Sequence, residues 1–502
     1  MLVVTSKQMS EIEKKAFEDG CSDEAFMVLA GSNIAKVIQK SAENKKIVLL
    51  CGKGNNGGDA YVAGSILLKE GFCVEAYYFS KPEDCSKLNQ RYLKEFKASR
   101  GAAYLISDVN HLALPNDSIL VDGLLGTGFK GSLKDPYLSI VKKINESSSQ
   151  VFSIDIPSGL NGTDGSVVSS AVKADTTIYL GFLKSGFFLN DGPNFTGKLI
   201  HVDFGLPKKF TDQIDPFANY FQKADIRLPI VHAKRHKYDV GYVVGVAGSY
   251  GMFGAAMLSS FAALKAGAGI VRLYSIGDTI ETESKPLEII HQLLSEKNLD
   301  EFFREVKRSK AIFMGPGMGR LETSKSLFFK VLEKINVPLV LDADALFFLA
   351  EDFKVKLAQD TVLTPHRGEM LKILNEEELD DVNLIEKTIE FAKKKQAIVV
   401  LKGAPTIIIH YEKKPFIIAS GTPALATAGT GDVLTGIIAA QIAQGVDIFQ
   451  AATQAAFLHG LSAQIAEKKT STYGLVASDV IENLSKAFKE IERSFGKKKT
   501  NQ

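Results

Sequence analysis

A glycine-rich loop late in the chain runs into an acidic residue at the start of a predicted helix. Residues 421–436 read GTPALATAGTGDVLTG, and Gly429 and Gly431 immediately precede Asp432. Glycines allow successive backbone N–H groups to converge on an anion, and the N-terminus of the following helix adds a positive dipole. A carboxylate there is badly placed to bind phosphate, so we interpret Asp432 as a base. A base that takes the proton of an alcohol beside a phosphate-binding loop is the minimum that a small-molecule kinase requires.

The same tetrapeptide also has a structural explanation, because an Asp that caps a helix on a tight turn has a similar local sequence. The rest of the second half favours an active site. Polar or glycine-rich stretches follow several predicted strands, at residues 248–254, 315–319, 342–344, 364–369 and 402–406. Parallel sheets bind ligands at the carboxyl ends of their strands, so these stretches together predict one site. Lys402, followed by Gly403, suits a nucleotide phosphate, whereas a lone histidine such as His366 is more often structural.

A second glycine-rich loop lies in the first half, between a predicted strand and a predicted helix. Residues 52–59 read GKGNNGGD, a spacing that departs from the GxGxxG pattern of dinucleotide-binding folds. Asn55, Asn56 and Asp59 offer amide and carboxylate groups beside a helix N-terminus, which favours phosphate binding without hydride transfer. The alternative is a glycine-rich turn in which Asp59 caps the helix.

Two further strand ends in the first half supply oxygen atoms. Residues 122–128 read DGLLGTG, and residues 155–159 read DIPSG. Together with Asn56 they offer hard oxygen ligands and neither thiol nor imidazole. This donor set is typical of a site for a main-group cation and not of a zinc site.

The elements that must position these loops alternate along the first half. Apolar runs predict buried strands at 47–51, 74–79, 118–122, 151–154, 176–180 and 198–202. The amphipathic stretches between them predict helices at 59–70, 86–99 and 137–144. This order predicts a Rossmann-like, doubly wound parallel sheet with ligand sites at the carboxyl ends of its strands. Residues 1–44 are predicted to be helical, with Thr5 or Ser6 as the cap and Met9, Ile12 and Ala16 on one face.

A polar stretch without sustained periodicity predicts a linker at about residues 207–230. A second alternation follows, with predicted strands at 242–247, 269–275, 311–315, 339–342, 361–364, 397–402 and 406–410. Long helices are predicted from 430 to 468 and from 478 onwards. The length of 502 residues also favours two or more domains. We therefore predict two α/β domains, each with its own chemistry.

The composition argues against several classes of protein. The chain carries 60 basic and 58 acidic residues, a net charge of +2, so neither nucleic acid nor an anionic membrane is expected as a partner. Cys21, Cys51, Cys73 and Cys85 lack Cys-x-x-Cys spacing, which favours a reduced, cytoplasmic location over a disulfide scaffold or a zinc site. Charged residues interrupt the N-terminal segment, so no signal peptide is expected, and no apolar run is long enough to span a bilayer.

Across residues 241–480 the chain carries the strings GMFGAA, ALKAGAGIV, GPGMG, LDADAL, LTPHRGEM, VLKGAPT, ALATAGTGDVLTG, FLHG and ASDVI, in that order. In these strings it closely resembles the ADP-dependent NAD(P)H-hydrate dehydratases, which are ribokinase-like enzymes. The resemblance predicts a dehydratase domain at residues 225–495. It implies that ADP phosphorylates the hydroxyl group of hydrated NADH or NADPH and that phosphate is then eliminated. One departure is Arg367, where the family usually has proline.

The resemblance also implies roles for individual residues of this domain. Asp432 would take the proton of the alcohol, and magnesium would accompany ADP. The nucleotide would be bound by Lys402, Gly403, Ala404, Pro405, Thr406, Gly429, Thr430 and Gly431, the last three forming the anion hole. The hydrated dinucleotide would be bound by Ala255, Gly317, His366 and Asp432.

The first half resembles the NAD(P)H-hydrate epimerases, through the three loops described above and the strings ADTT, FLKSG and VDFGL. The resemblance predicts an epimerase domain at residues 1–210. It implies potassium held by Asn56, Asp122 and Ser158, with Asp155 handling the proton when the R and S epimers interconvert. The implied substrate contacts are Asn55, Asn56, Gly57, Gly58, Asp59, Gly126, Thr127, Gly128, Phe129, Lys130, Gly131 and Tyr137.

Together the two halves resemble the bifunctional NAD(P)H-hydrate repair enzymes, in which an isomerase supplies the S epimer that a lyase consumes. The expected ligands are then NADHX and NADPHX, the hydrated forms of the two cofactors, and ADP. The resemblance does not separate ADP from ATP, and we expect a homo-oligomer without specifying its subunit number. Two alternatives stay open. One is a ribokinase-like vitamin or sugar kinase with an N-terminal ligand-binding module, and the other is a first half that serves as a scaffold for protein interactions.

Overall fold

The computed structural model describes residues 1–43, 45–212, 214–231, 233–277, 286–352, 355–358 and 360–499. The chain divides into two compact units, Met1–Ala218 and Asn219–Gln502. Among the helices in the described ranges, none combines the length and the apolar character needed to cross a membrane.

The first unit alternates strands and helices as predicted. Its strands are β1 (Leu2–Val4), β2 (Ile47–Cys51), β3 (Val74–Tyr78), β4 (Ala102–Leu105), β5 (Ile119–Gly123), β6 (Gln150–Ile154), β7 (Thr176–Leu180), β8 (Leu183–Lys184) and β9 (Lys198–Val202). Its helices are α1 (Ser6–Glu18), α2 (Asp23–Gln39), α3 (Asn55–Lys69), α4 (Lys87–Ala98), α5 (Tyr137–Glu146) and α6 (Lys208–Thr211).

The main sheet of this unit has seven strands in the order β4-β3-β2-β5-β6-β7-β9, all paired in parallel. The predicted doubly wound parallel sheet is confirmed. The strand order reverses between β2 and β5, so the loops that follow these two strands diverge and leave a crevice for ligand. The glycine-rich loop at 52–59 and the loop at 124–131 lie at this point.

The predicted start of helix α1 is confirmed, and Thr5 is its cap. The Thr5 side chain accepts from the N–H of Gln8, and the Gln8 side chain accepts from the N–H of Thr5. The predicted apolar face of α1 is buried at Met9, Ile12 and Ala16. The pattern missed strands β1, β4 and β8, because β4 is a largely exposed edge strand and the other two have only three and two residues.

The second unit also alternates strands and helices. Its strands are β10 (Ala218–Phe221), which begins at the boundary, β11 (Tyr242–Val246), β12 (Ile270–Ile276), β13 (Ile290–Leu294), β14 (Ala311–Met314), β15 (Leu339–Leu341), β16 (Thr361–Leu363), β17 (Ile398–Leu401), β18 (Thr406–Ile409) and β19 (Phe416–Ile418). Its helices are α7 (Lys237–Val240), α8 (Phe253–Lys265), α9 (Leu299–Arg308), α10 (Glu322–Lys334), α11 (Asp344–Glu351), α12 (Arg367–Leu374), α13 (Asp381–Lys395), α14 (Thr430–Ala443), α15 (Ile448–Glu467) and α16 (Ala477–Lys499).

The strands of the second unit follow the order β13-β12-β11-β14-β15-β16-β17-β18-β19-β10. Pairing is parallel from β13 to β17, and β18 then runs antiparallel to both of its neighbours. Helices α8 and α14 pack against this sheet and lie very close to each other. A Cβ atom on Gly436 would lie 2.0 Å from the carbonyl oxygen of Ser259, so only glycine allows this approach.

One expectation about the second half is wrong. The helix predicted from 430 to 468 is two helices, because α14 ends at Ala443, Gly445 has a φ of +85°, and Asp447 caps α15 by accepting from the N–H of Gln450 at 3.0 Å. The boundary between the two units, at Ala218, falls within the stretch predicted as a linker, and this stretch also contains α6 and β10, which pairs with β19. A short strand of this kind has too few residues to produce a readable period.

Candidate active sites

In the second unit, the carboxyl ends of β15 and β17 bring opposite charges into contact. Asp342 directly follows β15 and is 1% exposed. The Nζ atom of Lys402 donates to Asp342 Oδ1 at 2.8 Å, and Thr435 Oγ1 donates to Asp342 Oδ2 at 2.7 Å. Burial alone would raise the pKa of Asp342, but the Lys402 ammonium and the hydroxyls of Thr435 and Thr364 together outweigh it, and the pKa lies below its usual value. Asp342 is therefore a buried anion that holds Lys402 at the site.

Asp432 lies in the first turn of α14, next to this ion pair. Burial, and then the charge of Asp342, raise the pKa of Asp432 to about 7, while Lys402 opposes the shift. A carboxylate with this pKa exchanges protons efficiently near neutral pH. The cap of α14 is Gly429, which has a φ of +88° and no side chain to cap the helix, so the helix-cap interpretation of Asp432 is wrong.

The loop before Asp432 has the backbone geometry that glycine permits. A Cβ atom on Gly429 would lie 2.6 Å from Leu258 Cδ1, and one on Gly431 would lie 3.2 Å from Lys402 Nζ. The N–H groups of the first turn of α14, of which that of Thr430 also donates weakly to the Thr427 carbonyl at 3.5 Å, therefore lie beside the Lys402 ammonium. Base, cation and anion-binding backbone share one end of the sheet.

His366 contributes to this end of the sheet mainly through its backbone and as a helix cap. Its Nδ1 atom accepts from the N–H groups of Gly368 at 3.0 Å and Glu369 at 3.3 Å, and residue 366 forms an isolated parallel bridge with Lys402. Glu369 Oε2 lies 3.8 Å from Lys402 Nζ. His366 is thus placed next to the ion pair, with its ring 59% exposed and able to meet a ligand.

Arg367, the departure noted in the sequence of this loop, has its side chain held by two hydrogen bonds. Its Nη1 atom donates to Asp381 Oδ1 at 2.6 Å, and its Nη2 atom donates to the carbonyl of Leu379. These contacts tie the start of α12 to the segment before α13. The loop that contains His366 and Arg367 is therefore held in place by the Arg367 side chain.

The predicted residues Ala255 and Gly317 lie against each other. Gly317 has a φ of +61°, and a Cβ atom there would lie 2.4 Å from the carbonyl oxygen of Met252 and 3.2 Å from Ala255 Cβ. The hydroxyl of Ser249 donates to the Gly317 carbonyl at 3.0 Å. A Cβ on Gly315 would lie 1.7 Å from the carbonyl of Asp342, so this loop also adjoins the ion pair.

The remaining predicted nucleotide residues form the turn between β17 and β18. Gly403 and Ala404 are exposed, Pro405 is half-buried, and Thr406 begins β18. The Thr406 hydroxyl donates to the Gly403 carbonyl at 3.3 Å. The exposed backbone of this turn follows Lys402 directly and is accessible to a nucleotide.

The ion pair at this site leads to a test of stability. In Lys402→Met, the Asp342 carboxylate loses its ammonium partner and stays buried, so we expect the free energy of unfolding to fall by about 3–5 kcal/mol. Lys330→Met is the matched control, because Lys330 pairs with Glu296 at the exposed surface and its loss should be nearly neutral. Urea unfolding of both variants measures the difference. Equal stability of the two would contradict the buried pair.

In the first unit, a buried lysine pairs with Asp155. Asp155 follows β6 and is 7% exposed, and Lys184 ends β8 and is fully buried. Lys184 Nζ donates to Asp155 Oδ1 at 2.5 Å and to the carbonyl of Leu180 at 2.8 Å. The sequence analysis missed Lys184 as a functional residue. Its signal was a lysine directly after two apolar residues, Phe182 and Leu183, in the FLKSG string, because a lysine is unusual in a buried strand.

A buried group of oxygen atoms lies beside this pair. The Asp122 carboxylate is fully buried and accepts from the hydroxyls of Ser153 at 2.8 Å and Ser158 at 2.6 Å and from the N–H of Ser158 at 2.9 Å. Burial raises the pKa of Asp122 despite these bonds. No basic side chain in the described ranges pairs with it, so the ionised form of this carboxyl group has no protein counterion here.

Asn56 is held next to Asp122 and Ser158. Its Nδ2 atom donates to the carbonyls of Leu125 at 2.8 Å and Ile154 at 3.0 Å, which leaves its Oδ1 atom as an acceptor. With the Asp122 carboxylate and the Ser158 hydroxyl it forms a set of hard oxygen donors. This chemistry fits a monovalent cation, which would also supply the missing positive charge.

The glycine-rich loop at 52–59 is held in place by the side chain of Asn89, on α4. Asn89 Nδ2 donates to the carbonyls of Gly52 at 2.9 Å and Gly54 at 2.8 Å, and α3 begins at Asn55 without a side-chain cap. Asp59 lies in the second turn of α3, so it is not the helix cap. Burial, and then the charge of Asp155, raise the pKa of Asp59 well above its usual value.

The other predicted substrate residues lie in the loop after β5 and at the start of α5, and Gly126 among them lies next to Asp155. A Cβ atom on Gly126 would lie 3.5 Å from Asp155 Oδ2 and 3.6 Å from Asn56 Cγ, so this loop contacts both groups. The hydroxyl of Tyr137, the first residue of α5, is buried without a hydrogen-bond partner among the described residues. The loop between them carries Thr127, Gly128, Phe129, Lys130 and Gly131.

Comparison with known proteins assigns the two halves of the chain to two different protein families. A family profile described as NAD(P)H-hydrate dehydratase matches residues 243–486, and one described as YjeF-related protein N-terminus matches residues 23–186. The bifunctional NAD(P)H-hydrate repair enzyme of Moorella thermoacetica is 32% identical over 98% of this chain and 97% of the relative. The enzyme of the same description from Coxiella burnetii is 31% identical over 95% of this chain and 98% of its own. With both halves matched over nearly their full length, the chain belongs to the family of bifunctional NAD(P)H-hydrate repair enzymes.

Proposed function

We propose that this chain returns hydrated NADH and NADPH to their active forms in two steps. The first unit interconverts the R and S hydrates, and the second dehydrates the S hydrate at the expense of ADP. The observation that carries the proposal is the position of Asp432, a carboxylate with a pKa of about 7 beside both Lys402 and the N–H groups of α14. Membership of the repair-enzyme family supplies the identity of the substrate.

In the dehydratase step, Asp432 takes the proton of the hydroxyl group of the hydrate. The hydroxyl oxygen then attacks the β-phosphorus of ADP, the bond to the bridging oxygen breaks, and AMP leaves. The N–H groups of Gly429, Thr430 and Gly431 and the Lys402 ammonium stabilise the charge on the phosphoryl oxygens. Phosphate then leaves the ring carbon while a proton leaves the neighbouring carbon, which restores the double bond. The net products are the reduced cofactor, AMP and phosphate.

Magnesium would accompany the nucleotide in this step. Magnesium is usually held by one or two carboxylates together with the phosphates of a substrate. Asp342 and Glu369, both next to Lys402, supply carboxylates of this kind. The described residues contain no cluster of three or more acidic, His or Cys side chains that could hold a metal without the nucleotide.

In the epimerase step, we assign the proton transfers to Asp155, which is held by Lys184. Potassium would be bound by Asn56, Asp122 and Ser158, where it would neutralise the buried carboxylate and supply positive charge beside the substrate loops. The loops at 55–59 and 126–131 and the free hydroxyl of Tyr137 would bind the dinucleotide. A cytoplasmic location and assembly into a homo-oligomer stay predictions.

Absorbance at the reduced-nicotinamide band tests the proposal directly. The full chain is incubated with a mixture of both NADHX epimers, magnesium and either ADP or ATP. We expect absorbance to recover completely, because epimerisation feeds the R hydrate into the dehydratase. Recovery that stops at the S share would leave only the dehydratase. A stable phosphoester formed from a vitamin or a sugar, without recovery of absorbance, would favour the ribokinase-like kinase.

A further inference from the structure

Four ionisable side chains from four different elements converge beside the predicted epimerase loops. Asp155 follows β6, Lys184 ends β8, Asp59 lies on α3 and Glu13 lies on α1. Asp155 and Lys184 pair with each other. Glu13 and Asp59 form neither a hydrogen bond nor an ion pair with any residue in the described ranges. The carboxyl groups of Glu13, half-buried, and Asp59, buried, therefore lie next to the ion pair, and neither forms a bond of its own that would stabilise the fold.

The N-terminal strand anchors α1 next to Lys184. Strand β1 pairs in parallel with β8, and the register sets Val4 opposite Lys184. Helix α1 begins two residues later, where the N–H of Ser6 donates to Thr163 Oγ1 at 3.2 Å. The start of the chain is therefore an integral part of this site.

One face of α1 points at the turn that holds the lysine. Met9 and Glu13 are one helical turn apart and share a face. Met9 Cε lies 3.3 Å from the position of a Cβ atom on Gly181, and the preceding carbonyl, of Leu180, accepts from Lys184 Nζ. Glu13 is half-buried on this face, and the charges that act on its carboxyl group are those of Asp155 and Lys184.

Epimerisation of the hydrate needs two proton-transferring groups. The hydroxyl group must receive a proton so that water can leave, with the electron pair of the ring nitrogen replacing the broken C–O bond. Water must then add to the opposite face of the same carbon and lose a proton. An acid and a base, present at the same time on the two faces of the ring, meet this requirement.

We propose that Glu13 is the second proton-transferring residue of the epimerase site, acting as the acid when Asp155 acts as the base. The assignment rests on the proposed epimerase function of the first unit. Asp155, paired with Lys184, carries the negative charge of the cluster. One passage between the epimers leaves Glu13 ionised and Asp155 protonated. The reverse passage, in which Asp155 is the acid and Glu13 is the base, restores the starting state.

The protonation of Glu13 suits an acid. Burial, and then the charge of Asp155, raise the pKa of Glu13 to about 7, whereas Lys184 lowers it. The charged groups that face it are Asp155, Lys184 and, from α3, Asp59. Helix α6 also contacts α1, but its Lys209 pairs with Asp19 beyond the far end of the helix. Because one lysine balances one carboxylate, Glu13 keeps its proton until the pH rises through about 7.

The test uses the full chain without nucleotide, so that only epimerisation occurs. Interconversion of purified R and S hydrates is followed by chromatography at pH 5.5–9 for Glu13→Gln, Glu13→Asp and the wild type. We expect Glu13→Gln to lower the rate constant by about 10²–10⁴-fold. The wild-type rate should fall above about pH 7 as Glu13 loses its proton, and this fall should be absent from Glu13→Gln and present in Glu13→Asp.

Two controls separate chemistry from folding. Glu11→Gln changes an exposed residue of the same helix, which pairs with Lys7 at the surface, and should leave the rate and its pH profile unchanged. The dehydration rate of S hydrate with ADP should be normal in every variant. A rate in Glu13→Gln within a factor of about three of wild type would overturn the proposal, as would a slower rate with the wild-type pH profile. If the wild type itself shows no epimerisation above the uncatalysed rate, the proposed function of the first unit fails instead.

Discussion

Replacing Asp432 by Asn should lower the rate constant for dehydration by about 10²–10⁴-fold while leaving ADP binding nearly unchanged. Asn has the shape of Asp but cannot accept the hydroxyl proton. The phosphate contacts come from other groups, the Lys402 ammonium and the N–H groups at the start of α14, so the nucleotide should bind as before. Absorbance recovery measures the rate, and calorimetric titration with ADP measures binding.

The stability of the same variant provides the control. The folded protein binds the Asp432 proton more tightly than the unfolded chain, because the pKa is raised to about 7. Ionisation of Asp432 therefore reduces stability progressively as the pH rises from about 4 through about 7. At pH 8, Asp432→Asn should melt at least as high as the wild type. A protein that is both inactive and clearly less stable would point to a structural role.

The pH profile of the wild type follows from the same carboxylate. Asp432 acts in its ionised form, so dehydration should be slow at pH 5.5 and reach a plateau above about pH 8. Near-normal turnover by Asp432→Asn would refute the assignment of the base and with it the proposed mechanism of the second unit.

Replacing Asp155 by Asn should remove epimerisation and spare dehydration. Asp155 has a φ of +64°, a conformation that Asn tolerates better than Ala, and the Asn amide oxygen can still accept from Lys184. The variant keeps the hydrogen bond to Lys184 but loses the charge that compensates the buried ammonium, so it should be less stable than the wild type and its folding is checked by its dehydration rate. It also loses the group that handles the proton, with a fall of about 10²–10⁴-fold in the rate of interconversion. Given both epimers and ADP, it should restore absorbance only up to the share of the S hydrate.

The matched control is Asp117→Asn, at an exposed carboxylate of the same unit that pairs with Lys45. It should restore absorbance completely. This comparison also decides the remaining alternative for the first unit. If Asp155→Asn epimerises at the wild-type rate, the first unit is better explained as a scaffold for protein interactions.

Periodicity predicted the regular elements well wherever strands are buried. Strands β2 and β7 have the bounds that the apolar runs predicted, because a central strand needs apolar residues on both faces. The same argument explains the failures. Strand β4 is exposed at a sheet edge and β8 has only two residues, so neither carries a distinctive period.

Part of each candidate site could also be predicted from the sequence, and part could not. The chain order alone determined which loops meet, because every parallel strand delivers its following loop to the same edge of the sheet. Glycine-rich loops and the acids beside them, such as Asp432 and Asp155, were therefore recognisable from sequence. Their resemblance to the repair enzymes extended that prediction to both units.

Only the tertiary structure decided which charges are paired. Lys184 and Glu13 lie on a strand and a helix far from Asp155 in sequence, and Thr435 reaches Asp342 from inside α14. Their importance comes from burial and from neighbouring charges, which change the pKa of a side chain without changing its identity. The sequence determined the reacting groups in the loops, and folding determined their protonation and the partners that hold them in place.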